Sequence, residues 1–192
     1  MEVAIFGTSA DPPTLAHQQI LTFLAEKYQL VAVYATDNPL KTHSSSLPHR
    51  QKMLELLIED LKPLYPHIQH TPEISDRYTI NTLELARRKW GASHDYTIVI
   101  GSDLIPQIFS WYQAQQLWPQ VKVLIIPRAN YPINPEHLKQ LQGQTRGCNV
   151  ASFSIPPFSS SHYRQHHLDD YLPQKIQQYI QQHHLYQSPQ RG

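Results

Sequence analysis

The chain begins MEVAIFGTSADPPTLAH, which occupies residues 1–17. Val3 to Phe6 is a short apolar run, typical of a strand that is buried on both faces of a parallel sheet. Gly7 opens a tight turn after it, and Thr14 and His17 stand three residues apart at the start of an amphipathic helix. Strand, turn and helix in this order predict the first unit of an open α/β sheet, in which ligands bind where strand carboxyl ends meet helix N-termini.

Apolar runs alternate with helical patterns through the first two-thirds of the chain. The further runs are also short and rich in Val and Ile, and they lie at 30–35, 96–100 and 121–126. The helical patterns keep their apolar residues on one face; these are Leu15, Ile20, Leu21, Leu24 and Ala25, then Met53, Leu54, Leu57, Ile58 and Leu61, then Ile80, Leu83, Leu85 and Ala86. The alternation predicts an α/β fold, a Rossmann-like, doubly wound, mostly parallel sheet of five main strands with a sixth candidate near 149–153.

The last third of the chain is predicted to add C-terminal helices. Residues 159–167 open one helix, and 169–185 form a final helix that is entered through Pro173. Residues 187–192 are polar and are expected to form a flexible tail. Since the sequence has no internal repeat and no long linker, we expect one domain over residues 1–186.

Composition excludes several classes of protein. Sixteen basic against fifteen acidic residues give a net charge of +1, which argues against a nucleic-acid-binding protein with a broad polycationic face. No segment approaches the roughly 20 apolar residues of a membrane span, and no basic region precedes the first apolar run as in a signal peptide. The single cysteine, Cys148, cannot form an internal disulfide. We expect a cytoplasmic protein that contacts neither nucleic acid nor membrane; the oligomeric state stays open, a homo-oligomer included.

The turn after the first strand is a candidate phosphate site. Thr14 and His17 share one helix face, and the backbone N–H groups and dipole of a helix N-terminus favour an anion there. Asp11 is predicted to cap the turn. The stretch lacks both the Gly-x-Gly-x-x-Gly of dinucleotide folds and the Gly-Lys-Ser/Thr of a P-loop, so an ordinary N-cap with an incidental histidine is the alternative.

Two stretches resemble motifs of the nucleotidylyltransferase superfamily. Residues 7–17 resemble its glycine turn, Asp-Pro and His-x-Gly-His: His17 is kept, whereas Thr14 stands for the first histidine and Ala16 for the glycine. Residues 159–164, Ser-Ser-Ser-His-Tyr-Arg, resemble its serine-rich helix start that ends in arginine. The two motifs occur in the superfamily's order, at opposite ends of the α/β pattern.

Further stretches resemble the bacterial-type nicotinate-nucleotide adenylyltransferases in particular. They are Asn38 to Thr42, His49-Arg50, Asp76 to Leu83, Gly101-Ser102-Asp103 followed by Trp111, and Ile126-Pro127-Arg128. The resemblance covers about residues 1–186. It implies transfer of AMP from ATP to nicotinic acid mononucleotide, which gives deamido-NAD and pyrophosphate in NAD biosynthesis. A related adenylyltransferase that accepts nicotinamide mononucleotide or phosphopantetheine, or a non-catalytic nucleotide-binding module, is the alternative.

The resemblance also implies roles for individual residues. A phosphate nucleophile needs alignment and neutralisation of charge rather than a protein nucleophile, with Mg²⁺ held by phosphate oxygens and water. The predicted catalytic residues are His17, Thr14, Arg164 and Lys41. The predicted ATP-binding residues are Gly7, Thr8, Ser9, Ser160, Ser161 and Gly101. The predicted mononucleotide-binding residues are Thr79, Thr82, Asp103, Trp111 and Tyr112. No metal site built from protein ligands is predicted.

Within these groups, His17 is expected to donate to the α-phosphate, and Arg164 and Lys41 to bind the β- and γ-phosphates. For the mononucleotide, we expect Asp103 to accept from ribose hydroxyls, Trp111 to stack on the pyridine ring, and Thr79 and Thr82 to hold the nicotinate carboxylate. Arg50 is a weaker phosphate candidate, and its alternative is an exposed cation at a helix start.

Overall fold

Six parallel strands form one sheet within residues 1–37, 42–153 and 159–187, the parts of the chain that this computed structural model describes. The strands are β1 (Glu2–Thr8), β2 (Leu30–Ala35), β3 (Ile68–His70), β4 (Asp95–Gly101), β5 (Lys122–Ile126) and β6 (Gly147–Val150). Their order across the sheet is β3-β2-β1-β4-β5-β6, and every neighbouring pair is parallel.

Helices cover both faces of this sheet. They are α1 (Leu15–Lys27), α2 (Leu47–Leu61), α3 (Thr79–Trp90), α4 (Ala114–Leu117), α5 (Pro135–Gln144), α6 (Ser160–His166) and α7 (Gln174–Gln182). The apolar faces of α1, α2, α6 and α7 share one core with the sheet, and those of α3, α4 and α5 share the other. The predicted α/β class, a doubly wound Rossmann-like sheet, is therefore confirmed.

The apolar runs of the sequence become strands that are buried on both faces. Along β1, Val3 and Ile5 point into one core, whereas Ala4 and Phe6 point into the other. All positions of β2 are buried. Because helices cover the sheet on both sides, these strands show continuous apolar runs instead of an alternation of apolar and polar residues.

Two boundaries differ from the predictions, and two elements, β3 and α5, were not located in the sequence. The sixth strand, expected near 149–153, ends at Val150. The final helix is shorter than 169–185, because Asp169–Tyr171 forms a separate 3-10 turn and Pro173 stands directly before the first turn of α7. Helix α5 was not predicted, since it has few apolar side chains, chiefly Leu138 and Leu141, and only Leu141 is fully buried. The boundary at 186/187 stays a prediction, since residues 188–192 lie outside the described part.

The strand order places a crevice beside β1 and β4. The chain winds outward from β1 to β3 on one side and from β4 to β6 on the other. Ligands of open parallel sheets bind outside the carboxyl ends of the strands at such a switch point. Here those ends are Thr8 of β1 and Gly101 of β4. Among the helices in the described ranges, none has the length and apolar character to cross a membrane.

Candidate active site

The imidazole of His17 is held from both sides at the carboxyl end of β1. Thr14 is the N-cap of α1, and its backbone N–H donates to Nδ1 of His17 over 3.1 Å. The Thr14 hydroxyl lies 3.0 Å from the same nitrogen. Since Nδ1 accepts, the ring proton belongs on Nε2, which lies 3.1 Å from Oγ1 of Thr8. The helix start therefore fixes both the orientation and the tautomer of the ring.

His17 is a neutral donor in this setting. Burial, and secondarily the positive charge of Arg128, lowers the pKa of His17 to about 3. A neutral imidazole can donate one hydrogen bond from Nε2 but carries no charge. Any positive charge for an anionic ligand must then come from other side chains, and the guanidinium of Arg128 is one of them, with 45% of its side chain exposed.

The position of Thr14 refines its predicted role. Thr14 has no exposed surface, and its hydroxyl and backbone N–H both contact Nδ1 of His17. Its hydroxyl therefore does not line the crevice, and the residue that stands for the superfamily's first histidine orients the second one.

Asp103 and Arg128 form an ion pair at the ends of β4 and β5. Nε of Arg128 lies 3.0 Å from Oδ1 of Asp103. Ser102 stabilises the same corner, because its hydroxyl accepts from the backbone N–H of Arg128 over 2.9 Å and donates to a carbonyl of the loop after β5. A Cβ at Gly101 would lie 2.7 Å from Nε of Arg128. Only glycine at position 101 leaves room for this ion pair.

Gly7 is explained by packing within the sheet. A Cβ at Gly7 would lie 2.7 Å from the hydroxyl oxygen of Tyr34 on β2. The approach of Tyr34 therefore requires glycine at this position, and the contact of Gly7 with ATP stays a prediction.

Arg50 is buried beneath the crevice. Only 1% of it is exposed, so the alternative of an exposed helix-start cation is wrong. Its guanidinium donates to the backbone carbonyls of Ser9, Thr36 and Ser45 over 2.9, 2.6 and 3.3 Å. Arg50 therefore connects the loops that follow β1 and β2 to the start of α2, and these contacts occupy N–H groups of its guanidinium.

The carboxylate of Asp11 binds a different segment from the one predicted. It accepts from the backbone N–H groups of Ser44 and Ser45 over 2.6 and 3.2 Å, and from the Ser45 hydroxyl over 2.8 Å. The hydroxyl of Tyr186 donates to the same carboxylate over 2.7 Å. The prediction that Asp11 caps its own turn is wrong, because its oxygens satisfy the donors of the loop that leads into α2.

Helix α6 rests on the loop before α1. The Ser160 hydroxyl donates to the carbonyl of Pro12 over 2.8 Å. Nη1 of Arg164 donates to the carbonyl of Asp11, and Nη2 lies 3.4 Å from the Ser161 hydroxyl. These bonds bring together two motifs that are about 150 residues apart in the sequence. About a quarter of the Arg164 side chain, 26%, remains exposed.

Three predicted positions on the ATP side remain, Thr8 and Ser9 from the ATP-binding residues and Lys41 from the catalytic ones. Thr8 faces His17 with its hydroxyl, and Ser9 offers its backbone carbonyl to Arg50. Lys41 lies outside the described residues, as do the other residues of the range 38–41.

Aromatic rings gather where α3 begins and the chain leaves β4. The rings of Tyr78, the N-cap of α3, and Tyr112 have centroids 4.3 Å apart. The ring of Trp111 packs on the fully buried Trp118 with a centroid distance of 5.5 Å. Tyr112 is half exposed, at 52%. This arrangement places the first turn of α3 beside the segment that carries the predicted mononucleotide contacts.

The two predicted threonines of α3 differ in exposure. Thr79, the first residue of the helix, is partly exposed. Thr82 has no exposed surface, and its contact with a carboxylate stays a prediction. Thr82 is buried together with the apolar residues of α3, whereas Thr79 stands at the exposed start of the helix.

Comparison with known proteins decides the family. The cytidylyltransferase-like family model matches residues 5–166. A Synechocystis sp. protein named a probable nicotinate-nucleotide adenylyltransferase is 45% identical, over 97% of this chain and 99% of the relative. The chain belongs to the nicotinate-nucleotide adenylyltransferase family.

Solved structures agree with the fold of this adenylyltransferase. Plasmodium falciparum nicotinic acid mononucleotide adenylyltransferase complexed with NaAD matches with a TM-score of 0.79 and 21% identity, over 96% of this chain and 97% of that one. The same Plasmodium enzyme complexed with APC matches with a TM-score of 0.76 and 20% identity, over 96% of both chains. At these identities the likeness shows the shared fold.

Several residues at the site of this adenylyltransferase were not predicted from its sequence. Arg128 was named only as part of the stretch Ile126-Pro127-Arg128 and was given no role. Its position just after β5 is one where ligand-binding residues of open parallel sheets stand. Arg50 was given an exposed alternative although it lies on the apolar stripe of α2, three residues before Met53. Tyr186 has no local signal, since its partner Asp11 is 175 residues away.

Proposed function

We propose that this chain transfers the adenylyl group of ATP to nicotinic acid mononucleotide. An oxygen of the mononucleotide 5′-phosphate attacks the α-phosphorus of ATP, the bond from this phosphorus to the bridging oxygen of the β-phosphate breaks, and pyrophosphate leaves. The product is deamido-NAD. The attacking phosphate is already anionic at neutral pH, so alignment and stabilisation of charge are what the protein must supply.

One observation carries the proposal: the oriented Nε2–H of His17 lies at the switch point of the sheet, next to the loop on which Arg164 rests. In the proposed complex this N–H turns from Thr8 to an oxygen of the α-phosphate. A preorganised donor of this kind stabilises charge as it develops in the transition state. Arg164 and Lys41 are assigned to the β- and γ-phosphates, and Arg128 adds positive charge beside His17.

The acceptor nucleotide is assigned to the region between β4 and α3. Trp111 would stack on the electron-poor pyridine ring. The nicotinate carboxylate would bind at the first turn of α3, where Thr79 and free backbone N–H groups favour an anion, with Tyr112 beside it. Asp103, bound to Arg128, would accept from the ribose hydroxyls.

Mg²⁺ is proposed to enter with ATP. Two carboxylates at the crevice are engaged by protein groups, Asp11 by the donors of Ser44, Ser45 and Tyr186, and Asp103 by Arg128. This donor set fits an ion that is held mainly by phosphate oxygens and water, the usual manner of Mg²⁺ with nucleotides. When bound, the ion would share the neutralisation of phosphate charge.

A cytoplasmic location belongs to the proposal, because ATP is available there, and cell fractionation tests it.

The proposal is tested by pyrophosphate release. The purified chain is supplied with ATP and Mg²⁺, and with nicotinic acid mononucleotide, nicotinamide mononucleotide or phosphopantetheine in parallel reactions. We expect release with nicotinic acid mononucleotide, and a lower kcat/KM with the other two acceptors. Binding of ATP without release would instead favour a nucleotide-binding module, and a higher kcat/KM with either other acceptor would change the substrate.

Replacement of His17 tests the assigned donor. His17→Ala should lower kcat about 10²- to 10³-fold, the usual cost of removing one preorganised donor, and should leave the Kd for ATP within a few-fold. The matched control is His67→Ala, because Nε2 of His67 also bonds within the fold, to the carbonyl of Ala25 over 2.9 Å, but far from the crevice. Unchanged kcat in His17→Ala would remove this residue from the mechanism.

A further inference from the structure

The end of the described chain reaches the loop before α1. The Tyr186 hydroxyl lies 2.7 Å from Oδ1 of Asp11 and 2.8 Å from the Ser45 hydroxyl. These contacts join segments that are 175 and 141 residues apart in sequence. The ring of Tyr186 also packs edge-on against the buried ring of Tyr163 in α6, with a centroid distance of 5.9 Å and an interplanar angle of 89°. One phenol therefore contacts the loop before α1, the loop before α2, and α6.

Asp11 links Tyr186 to Arg164, the side chain that is predicted to bind phosphate. Its carboxylate, of which 3% is exposed, is held by Tyr186 and Ser45 on one side, while its backbone carbonyl accepts from Nη1 of Arg164. The nearer carboxylate oxygen of Asp11 lies 3.8 Å from the same Nη1. The position of the Arg164 guanidinium thus depends on where Asp11 is held.

The backbone at this end of the chain is held in an uncommon conformation. His184 and Tyr186 have φ angles of +51° and +59°. Residues with bulky side chains rarely adopt this left-handed region, and they keep it where surrounding contacts determine it. Burial, and the nearby charge of Asp11, raise the pKa of Tyr186. The phenol therefore stays protonated and can donate to the carboxylate.

We infer that Tyr186 is a positioning residue for adenylyl transfer: through Asp11 it fixes the Arg164 guanidinium for the triphosphate of ATP. This inference rests on the proposed function for the identity of the ligand. Without the Tyr186 hydroxyl, Asp11 and Arg164 would still be present, but their side chains would be less firmly oriented. The effect should therefore fall on ATP and spare the mononucleotide, whose assigned contacts lie beyond β4.

The test compares two tyrosines of the C-terminal region. Tyr186→Phe removes the hydroxyl that binds Asp11 and keeps the ring that packs on Tyr163. The matched control is Tyr179→Phe, since the Tyr179 hydroxyl also bonds to the α2 region, 2.9 Å from Nδ1 of His49, but does not touch Asp11. Steady-state KM for each substrate, the Kd for ATP by calorimetry, and Tm are measured for both variants and the unmodified chain.

We expect Tyr186→Phe to raise KM and Kd for ATP about five- to tenfold, the scale of one typical net hydrogen bond, and to leave KM for the mononucleotide unchanged. Both variants should lower Tm by a similar amount, since each loses one hydrogen bond. Tyr179→Phe should leave both KM values within about twofold. A KM and Kd for ATP in Tyr186→Phe that match those of Tyr179→Phe would overturn the inference. If the unmodified chain released no pyrophosphate, the proposed function would fail, while the comparison of Kd values for ATP would still decide the role of Tyr186.

Discussion

The two sides of the crevice are built by different means. On the side of β1 and β2, two charged residues are almost fully buried, Arg50 at 1% and Asp11 at 2% exposure, and nearly all their contacts are hydrogen bonds to loops. On the side of β4, aromatic rings form the wall, and Tyr112 is 52% exposed. The first side is a polar network inside the protein, and the second is a partly open aromatic surface.

This difference separates two kinds of sensitivity to substitution. A buried polar network depends on every member, because removing one leaves donors or acceptors without partners and without water. An exposed ring can be lost with little effect on folding, since its surface is already partly in water. The side proposed for the triphosphate should therefore couple stability to activity, whereas the side proposed for the mononucleotide should change in specificity without losing stability.

The largest effect is expected at Arg50. Arg50→Ala should lower the free energy of unfolding by about 3 to 5 kcal/mol, the scale for breaking a buried charged network. The reason is that the carbonyls of Ser9 and Thr36 lose their shared donor. Urea denaturation measures the loss, and Arg88→Ala, at an exposed position of α3, is the control with an expected change within about 0.5 kcal/mol. If Arg50→Ala and Arg88→Ala were equally stable, the buried polar network would not be what distinguishes this side of the crevice.

A smaller effect, of a different kind, is expected at Trp111. Trp111→Ala should raise KM for nicotinic acid mononucleotide about tenfold, because a lost stacking interaction is worth about 0.5 to 1.5 kcal/mol beyond buried area. KM for ATP should stay unchanged. The control is Trp90→Ala, since Trp90 ends α3, at the opposite end of the helix from Thr79. If the ATP and mononucleotide KM values rose together in Trp111→Ala, the two sides would not be separable.

Much of the fold could be predicted from sequence because the strands are buried on both faces. Val3 to Phe6 and 30–35 are continuous apolar runs, and the stripe from Met53 to Leu61 has a clear helical period. These patterns follow from local geometry and burial. Helix α5 has only one fully buried residue, Leu141, and therefore had no comparable pattern.

The site was only partly predictable for a related reason. His17 and Arg164 stand within local motifs, whereas the partners that orient them come from distant positions. Asp11 binds the loop before α2 and Tyr186, which no spacing rule connects. Arg50 could have been predicted to be buried, because it continues the apolar stripe of α2, but its charge favoured an exposed position.

A third effect, spread over several pH units, is expected in the pH dependence of stability, and it sharpens the comparison between the two sides. Burial and the charge of Arg128 lower the pKa of His17 to about 3, whereas an unfolded histidine has a pKa of about 6.5. Between these values the unfolded chain binds a proton that the folded chain does not, so stability falls as pH is lowered from about 6.5 toward 3. His17→Ala lacks this group, and its stability should therefore fall less steeply, by at most about 1.4 kcal/mol per pH unit. Denaturation at pH 6, 5 and 4 measures the slopes, and Trp111→Ala, which removes no titrating group, should keep the steeper slope of the unmodified chain. Equal slopes for all three proteins would mean that His17 is protonated as easily in the folded chain as in the unfolded one, and the neutral donor assigned to the triphosphate side would be lost.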